Sequence, residues 1–183
     1  MAAITAALIK QVREDTGAGM MDVKKALTEA EGDVARAKEI IRAKGIQAAG
    51  KREGRKAQEG TIASKVIESA EGQTGYAVEL NSETDFVAKN ADFQNFVKAL
   101  AEIVAEKNPA DVAALSALPY EGEQTVADAL RDKILVIGEN LSIRRFLRYE
   151  GDCVAYVHGG GRIGVLVRFD ADEAASGSDA LIE

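Results

Sequence analysis

The sequence predicts an α+β protein: three short N-terminal helices, then a small antiparallel sheet with helices on one side. Two observations carry that prediction. Apolar residues recur every three or four positions through the first forty-five residues, then alternate in twos between Tyr76 and Leu80. The alternation returns between Leu141 and Phe169, with helix-period stretches in between.

The helices come first. Ile4, Leu8 and Val12 share one helical face, and Thr16-Gly17 stops that helix. Met20, Val23 and Leu27 form the next stripe, with Gly19 at its mouth and Gly32 closing it. Asp33 is a candidate N-cap for a third helix, whose stripe is Val34, Ala37 and Ile41 and whose expected end is Gly45. Three helices of about ten residues bury only a small core, which suits a docking unit better than a catalytic scaffold. Residues 46–60 are polar, basic and punctuated by glycine, and read as a linker with some helical tendency.

The sheet follows. Tyr76, Val78 and Leu80 alternate with Ala77, Glu79 and Asn81, the pattern of a half-buried strand. The run from Thr61 to Ser69 is its expected partner, joined through a turn at residues 71–75. Asn90 can cap a helix carrying Phe93, Phe96, Val97, Leu100 and Val104. Asn108-Pro109 opens a further short helix with proline in its first turn, and residues 125–138 form another, closed near Gly138. Leu141, Ile143, Arg145, Leu147 and Tyr149 then alternate, followed by strands at 153–158 and 163–169 with a Gly159-Gly160-Gly161 turn between them. Residues 170–183 are acidic and nearly featureless, so the strand at 163–169 is expected to lack a covering helix.

Composition narrows the function classes. The 183 residues carry a net charge of −7. Residues 1–58 hold 12 Lys and Arg against 8 Asp and Glu, and the remainder 11 against 22, so the halves carry +4 and −11. A nucleic-acid binder shows a stronger basic bias. One cysteine and one histidine cannot build a closed zinc site. Cys153 and His158 fall on opposite faces of one strand by parity, which argues against a nucleophile pair. There is no phosphate-binding Gly-rich loop and no dinucleotide fingerprint. The expectation is a protein that is not an enzyme and needs no cofactor or metal. No apolar run reaches the ~18 residues of a membrane helix. No secretory signal opens the chain, and the lone cysteine cannot form an internal disulfide, so the expected place is the cytoplasm.

The segment from Glu79 to Asn90 holds a strand end and a helix start within a few residues. The pattern allows two readings. In one, Ser82 or Thr84 caps a helical turn, Asp85 favours its dipole and Phe86 is core. In the other, Phe86 beside a carboxylate is an apolar wedge that enters a partner.

Four motifs bear on the choice: TGAGMMDVKKAL at 16–27, ETDFVAKN at 83–90, IGENLSIRR at 137–145 and HGGGRIGVLV at 158–167. Together, in order and spacing, the set resembles the bacterial elongation factor Ts family. The resemblance implies a guanine-nucleotide exchange factor for the GTPase elongation factor Tu in translation, bound in its GDP and nucleotide-free states. It implies that residues 1–45 are a three-helix ubiquitin-associated-like domain, 46–60 a basic linker and 61–150 the first α+β core subdomain. Residues 151–183 would begin a second core subdomain that is only partly present. By the same resemblance Thr84, Asp85, Phe86 and Val87 dislocate Mg²⁺ from the partner. The docking face matches Arg13, Met20, Met21 and Lys24, and further contacts match Ile137, Gly138 and His158. From the residues alone, Met20 reads as core with Met21 the better candidate for exposure, His158 as a turn-adjacent strand residue and the three glycines as a hairpin turn. Two other functions stay open: docking to the GTPase without efficient exchange, and RNA or ribosome binding through the basic stretch from Lys44 to Lys56.

Overall fold

The computed structural model describes residues 3–70, 72–122 and 124–170. Two compact units are distinguished, residues 1–56 with 127–141 and residues 57–126 with 142–183. The expectation for the chain beyond Asp170 lies outside the described residues.

The first unit begins with helices α1 (Ala6–Thr16), α2 (Met20–Glu29) and α3 (Val34–Arg52). Thr5 caps α1, accepting from the Leu8 amide, and Gly17 ends it in the left-handed conformation at φ 66°. Asp33 caps α3, accepting from the Arg36 amide. Val12, Val23, Ala26, Leu27, Ala37 and Ile41 form the core, with Ile4, Leu8 and Leu135 packed against it.

Two expectations fail in this unit. Met20 does not join the α2 stripe; Val23, Ala26 and Leu27 are buried and Met20 points to solvent. Nor does α3 end at Gly45. It runs on to Arg52, through the first half of the expected linker. A mid-helix glycine costs ~1 kcal/mol relative to alanine, and local packing offsets that. Gly45 is buried, with Asp132 and Leu135 of the helix at 126–137 alongside it. Arg52 then fastens the far end, donating to the Ala48 carbonyl at 3.1 Å and the Gly138 carbonyl at 2.9 Å.

The second unit is built on strands β1 (Glu59–Ser69), β2 (Gly72–Ser82) and β3 (Ser142–Glu150), antiparallel in the order β1-β2-β3. Between β2 and β3 the chain forms α4 (Asp85–Ala88), α5 (Ala91–Lys107), α6 (Val112–Ala117) and α7 (Val126–Ile137). From Ala127 onward, α7 belongs to the first unit. A separate hairpin, β4 (Cys153–His158) with β5 (Ile163–Arg168), follows β3. The α+β class is as predicted.

The turn between β1 and β2 is tighter than expected, since pairing runs down to Ser69 opposite Gly72. Gly75 is therefore a strand residue, and it is where the hairpin approaches the sheet. A Cβ there would lie 2.7 Å from Leu166 Cδ1 and 2.9 Å from Cys153 Cβ. On the alternate parity, Tyr76, Val78 and Leu80 are buried, and α5 packs against β2 through Phe93, Phe96, Val97, Leu100 and Val104. Helix and hairpin thus cover opposite faces of the sheet. One face of β5 is covered by this packing, while Ile163, Val165 and Val167 stay exposed on the other.

Pro109 does not open α6. Asn108 stops α5 at φ 43°, Pro109 lies buried in the connection, and Asp111 caps α6 by accepting from the Ala114 amide at 2.7 Å. In β3 the alternation breaks. Glu79 pairs with Arg145 but Leu80 with Ile143, so Arg144 is an extra residue in a bulge. Such an insertion moves every later side chain to the other face. Leu147 is exposed and Phe146 half-buried, the reverse of the simple pattern. Both bulge arginines meet one carboxylate: Glu79 accepts from Arg144 at 3.0 Å and Arg145 at 2.7 Å.

Candidate partner-binding site

The segment from Asn81 to Asn90 is held at nearly every backbone joint. Asn81 and Ser82 end β2 fully inside the fold. Asn81 Nδ2 donates to the Glu59 carbonyl at 3.1 Å, and Ser82 Oγ donates to the Thr84 carbonyl at 2.9 Å. Thr84 is the N-cap of α4, its hydroxyl 3.5 Å from the Val87 amide. Ala88 is buried, and its carbonyl accepts from Gln94 of α5 at 3.3 Å. Asn90 then caps α5, accepting from the Asp92 amide at 2.9 Å and the Phe93 amide at 3.2 Å. A helix of one turn has no stability of its own; these bonds supply it.

That scaffold presents Phe86 to solvent. The ring is 82% exposed, more than any other large apolar side chain described. Thr84, Asp85 and Val87 are half-buried around it. The two readings of the segment thus combine: Thr84 caps a helical turn, as the plain reading holds, but Phe86 is not core. Lys89 donates to Asp85 Oδ2 at 2.7 Å, the i, i+4 spacing of a helix pair. That bond holds the Asp85 carboxyl below the ordinary carboxylate range, with a further contribution from the charge of Arg162.

His158 lies at the end of β4, with its Nδ1 2.9 Å from the Tyr156 hydroxyl. Two residues apart on one strand, the two rings share a face, with centroids 6.0 Å apart. Tyr156 escaped the sequence reading, although its parity with His158 was a legible signal. Cys153 is buried and His158 exposed, so they form no pair.

The remaining predicted residues belong to the other unit. Met20 and Met21 open α2 and are 59% and 63% exposed. Arg13 and Lys24 are exposed on α1 and α2. Ile137 is half-buried at the end of α7, and Gly138 ends that helix at φ 84°, its amide donating to the Ile134 carbonyl. Val136, unnamed by the sequence reading, is exposed in the same turn, 3.8 Å from where a Cβ on Gly17 would stand. It therefore adds an apolar group at the α1–α2 corner.

Among the described residues, no group of three or more His, Cys, Asp or Glu is arranged to hold a metal ion, and no helix is long and apolar enough to cross a membrane. An open groove of about 460 Å³ runs beside β1, lined by Tyr76, Lys65, Lys98 and Glu102 among others; it includes none of the predicted site residues.

The family model described as elongation factor TS matches residues 83–181, a span that opens on the α4 segment and runs through the hairpin. Among curated relatives, elongation factor Ts of Bifidobacterium adolescentis is 64% identical over 161 residues, covering 86% of this chain and 54% of its own length. That of Trichlorobacter lovleyi is 51% identical over 177 residues, covering 94% of this chain and 56% of its own. That of Bordetella bronchiseptica is 54% identical over 175 residues, covering 94% and 59%. The chain thus spans somewhat more than half the length of the relatives it matches. With more than half of its residues inside the family match, including the exposed Phe86 turn and the His158 hairpin, the chain belongs to the elongation factor Ts family.

Proposed function

We propose that the chain is a guanine-nucleotide exchange factor for the GTPase elongation factor Tu in translation elongation. Met20, Met21, Arg13 and Lys24, with Ile137 and Gly138, dock on the partner. Thr84, Asp85, Phe86 and Val87 then intrude near its magnesium site and dislodge the ion, and His158 makes a further contact. Mg²⁺ demands near-ideal octahedral geometry, so a small displacement of its shell weakens its hold on the GDP phosphates. The N-terminal helices act as a ubiquitin-associated-like docking domain. The chain performs no catalytic step and needs no cofactor, contacts no nucleic acid directly, and works in the cytoplasm.

The observation that carries this reading is Phe86: an aromatic ring 82% exposed on a turn held by buried Ser82 and by Gln94. A large apolar ring held out on a tied-down turn offers a partner surface to bury, and its burial is favourable.

Magnitudes divide the labour. Burying Phe86 contributes ~1.5–3 kcal/mol. A ~10⁴-fold acceleration of GDP release needs ~5.5 kcal/mol. The balance must come from an interface that tolerates the nucleotide-free partner better than the GDP-bound one, and GDP must weaken binding reciprocally. The second reading is docking to the GTPase without efficient exchange.

The test is release of fluorescent GDP from elongation factor Tu with and without the chain. Wild type should accelerate release, and Asp85→Ala with Phe86→Ala together should remove most of the effect. A double variant as active as wild type sinks the wedge. Binding by both proteins without acceleration by either establishes the docking reading instead.

A further inference from the structure

The β4–β5 hairpin makes a close joint with β1, the strand against which α4 also packs. Ile62 donates its amide to the Gly161 carbonyl at 2.7 Å, and Thr61 donates its hydroxyl to the Gly160 carbonyl at 3.2 Å. The joint has no room for side chains. A Cβ on Gly161 would stand 1.8 Å from Thr61 Oγ1, and one on Gly164 would stand 2.5 Å from Ile62 Cγ2. Gly161 also has φ 98°, which only glycine adopts without strain. Immediately across β1, Thr61 pairs with Leu80 and Glu59 with Ser82, so the joint grips the sheet where β2 runs into α4. The α4 turn itself packs against β1 and β2. The hairpin turn and the Phe86 turn are therefore two attachments to one short stretch of edge strand.

We propose that Gly161 and Gly164 are positioning residues for partner contact: by letting the hairpin sit directly on β1, they hold His158 and Arg162 in the same rigid surface as Asp85 and Phe86. This rests on the exchange reading above and adds to it a requirement for registration between the two elements. The glycines touch no partner. They act through Ile62 and Thr61, and their loss misaligns a surface whose individual side chains all remain. The stem of Arg162 lies over Gly159, within 4 Å of where a Cβ there would stand, which directs the arginine from the turn. The hydrogen bond from Lys89 is the main influence lowering the Asp85 carboxyl, and the charge of Arg162 acts in the same direction.

The joint can be broken and mended by exchanging volume. Gly164→Ala places a methyl against Ile62, and Ile62→Ala removes the Cγ2 and Cδ1 atoms it would strike. Two readouts are needed: stimulated GDP release from elongation factor Tu, and the Asp85 carboxyl titration followed by carbon NMR. Arg162→Gln fixes how far the Asp85 midpoint rises when that cation is removed. Gly164→Ala should raise the midpoint in the same direction and lower stimulated release about tenfold, and Gly164→Ala with Ile62→Ala should restore both to within about threefold of wild type. If Gly164→Ala does not fold, Thr61→Val serves in its place. It deletes only the hydroxyl bond to Gly160, and should raise the midpoint slightly and lower release two- to threefold.

A folded Gly164→Ala, or a Thr61→Val, with wild-type release overturns the proposal. So does a fall in release with the Asp85 midpoint unmoved, because misregistration must move both. Wild type that never accelerates release overturns the exchange reading itself, and with it this proposal. An active wild type with an indifferent joint overturns the proposal alone.

Discussion

The openings of α2 and α4 offer apolar side chains to solvent in opposite ways. Met20 and Met21 stand on an ordinary ten-residue helix whose N-cap, Gly19, makes no side-chain hydrogen bond. Methionine has three rotatable side-chain bonds and a polarizable thioether, so this surface adapts to what it meets. Phe86 stands on a four-residue helix tied down by Ser82, by Gln94 and by the Asn90 amide, which donates to the Val87 carbonyl. An aromatic ring on a locked turn keeps one shape. On the proposed exchange reading the contrast suits two tasks: an adaptable surface would recruit, and a fixed one would deform what it enters. A wedge that yielded would transmit nothing to the partner's ion, whereas a docking face that could not yield would gain little from methionine.

The comparison can be broken most severely at the core of the first unit. Leu27 is fully buried in a small cluster, so Leu27→Ala should cost ~2–5 kcal/mol. For so small a core that is a large share of total stability. Calorimetry should show the first unit's transition lowered or lost while the second unit's persists, and half-saturation of GDP release should move by more than about 100-fold. If both units lose stability together, they are not independent, and separate tasks cannot be assigned by mutation.

A gentler division uses the exposed groups. Met20→Ala with Met21→Ala should leave melting within about 0.5 kcal/mol of wild type, as surface changes do. It should raise the half-saturating concentration by about 10- to 100-fold. Smaller still is the effect of loosening the wedge without removing it. Ser82→Ala deletes a part-buried hydrogen bond worth ~1 kcal/mol. Amide exchange at residues 84–90 should then quicken about fivefold, measured by mass spectrometry or NMR. Unchanged exchange would mean that Ser82 does not hold the turn.

The smallest expected effect is the acid dependence set by Glu79. Burial alone raises its carboxyl, but the hydrogen bonds and charges of Arg145 and Arg144 outweigh that and hold it below the ordinary carboxylate range. A carboxylate depressed in the folded state contributes stability that is fully present above its unfolded pKa and lost as pH falls through the folded one. Glu79→Gln should therefore be less stable than wild type near neutrality. The gap should close as pH drops below the usual carboxylate range. A gap that persists in acid would point to packing rather than charge.

Much of this fold was legible in the residues. Thr16-Gly17, Asp33 and Asn90 marked helix ends because caps and stops are local chemistry. What escaped depended on neighbours distant in sequence. Gly45 reads as a stop, yet Leu135 and Asp132 pack beside it and α3 continues. Leu147 reads as core until the extra residue at Arg144 reverses the faces of β3. Gly75 reads as a turn, yet Cys153 and Leu166 need its emptiness. The site divides likewise. The Asp85–Lys89 pair and the Thr84 cap follow from spacing, while the exposure of Phe86 does not. Lone aromatics are usually core, and only the corner made by buried Asn81 and Ser82 turns this one outward.

The proposed division, in which one surface recruits and the other deforms, is read out by the concentration dependence of GDP release from elongation factor Tu. Wild type, Phe86→Ala and the Met20→Ala, Met21→Ala pair should each be titrated to saturation. Phe86→Ala is expected to lower the plateau rate by about tenfold or more with little change in half-saturation. The methionine pair should shift half-saturation and leave the plateau intact. If Phe86→Ala regains the wild-type plateau at high concentration, the ring is only another docking contact and the assignment of a wedge is wrong.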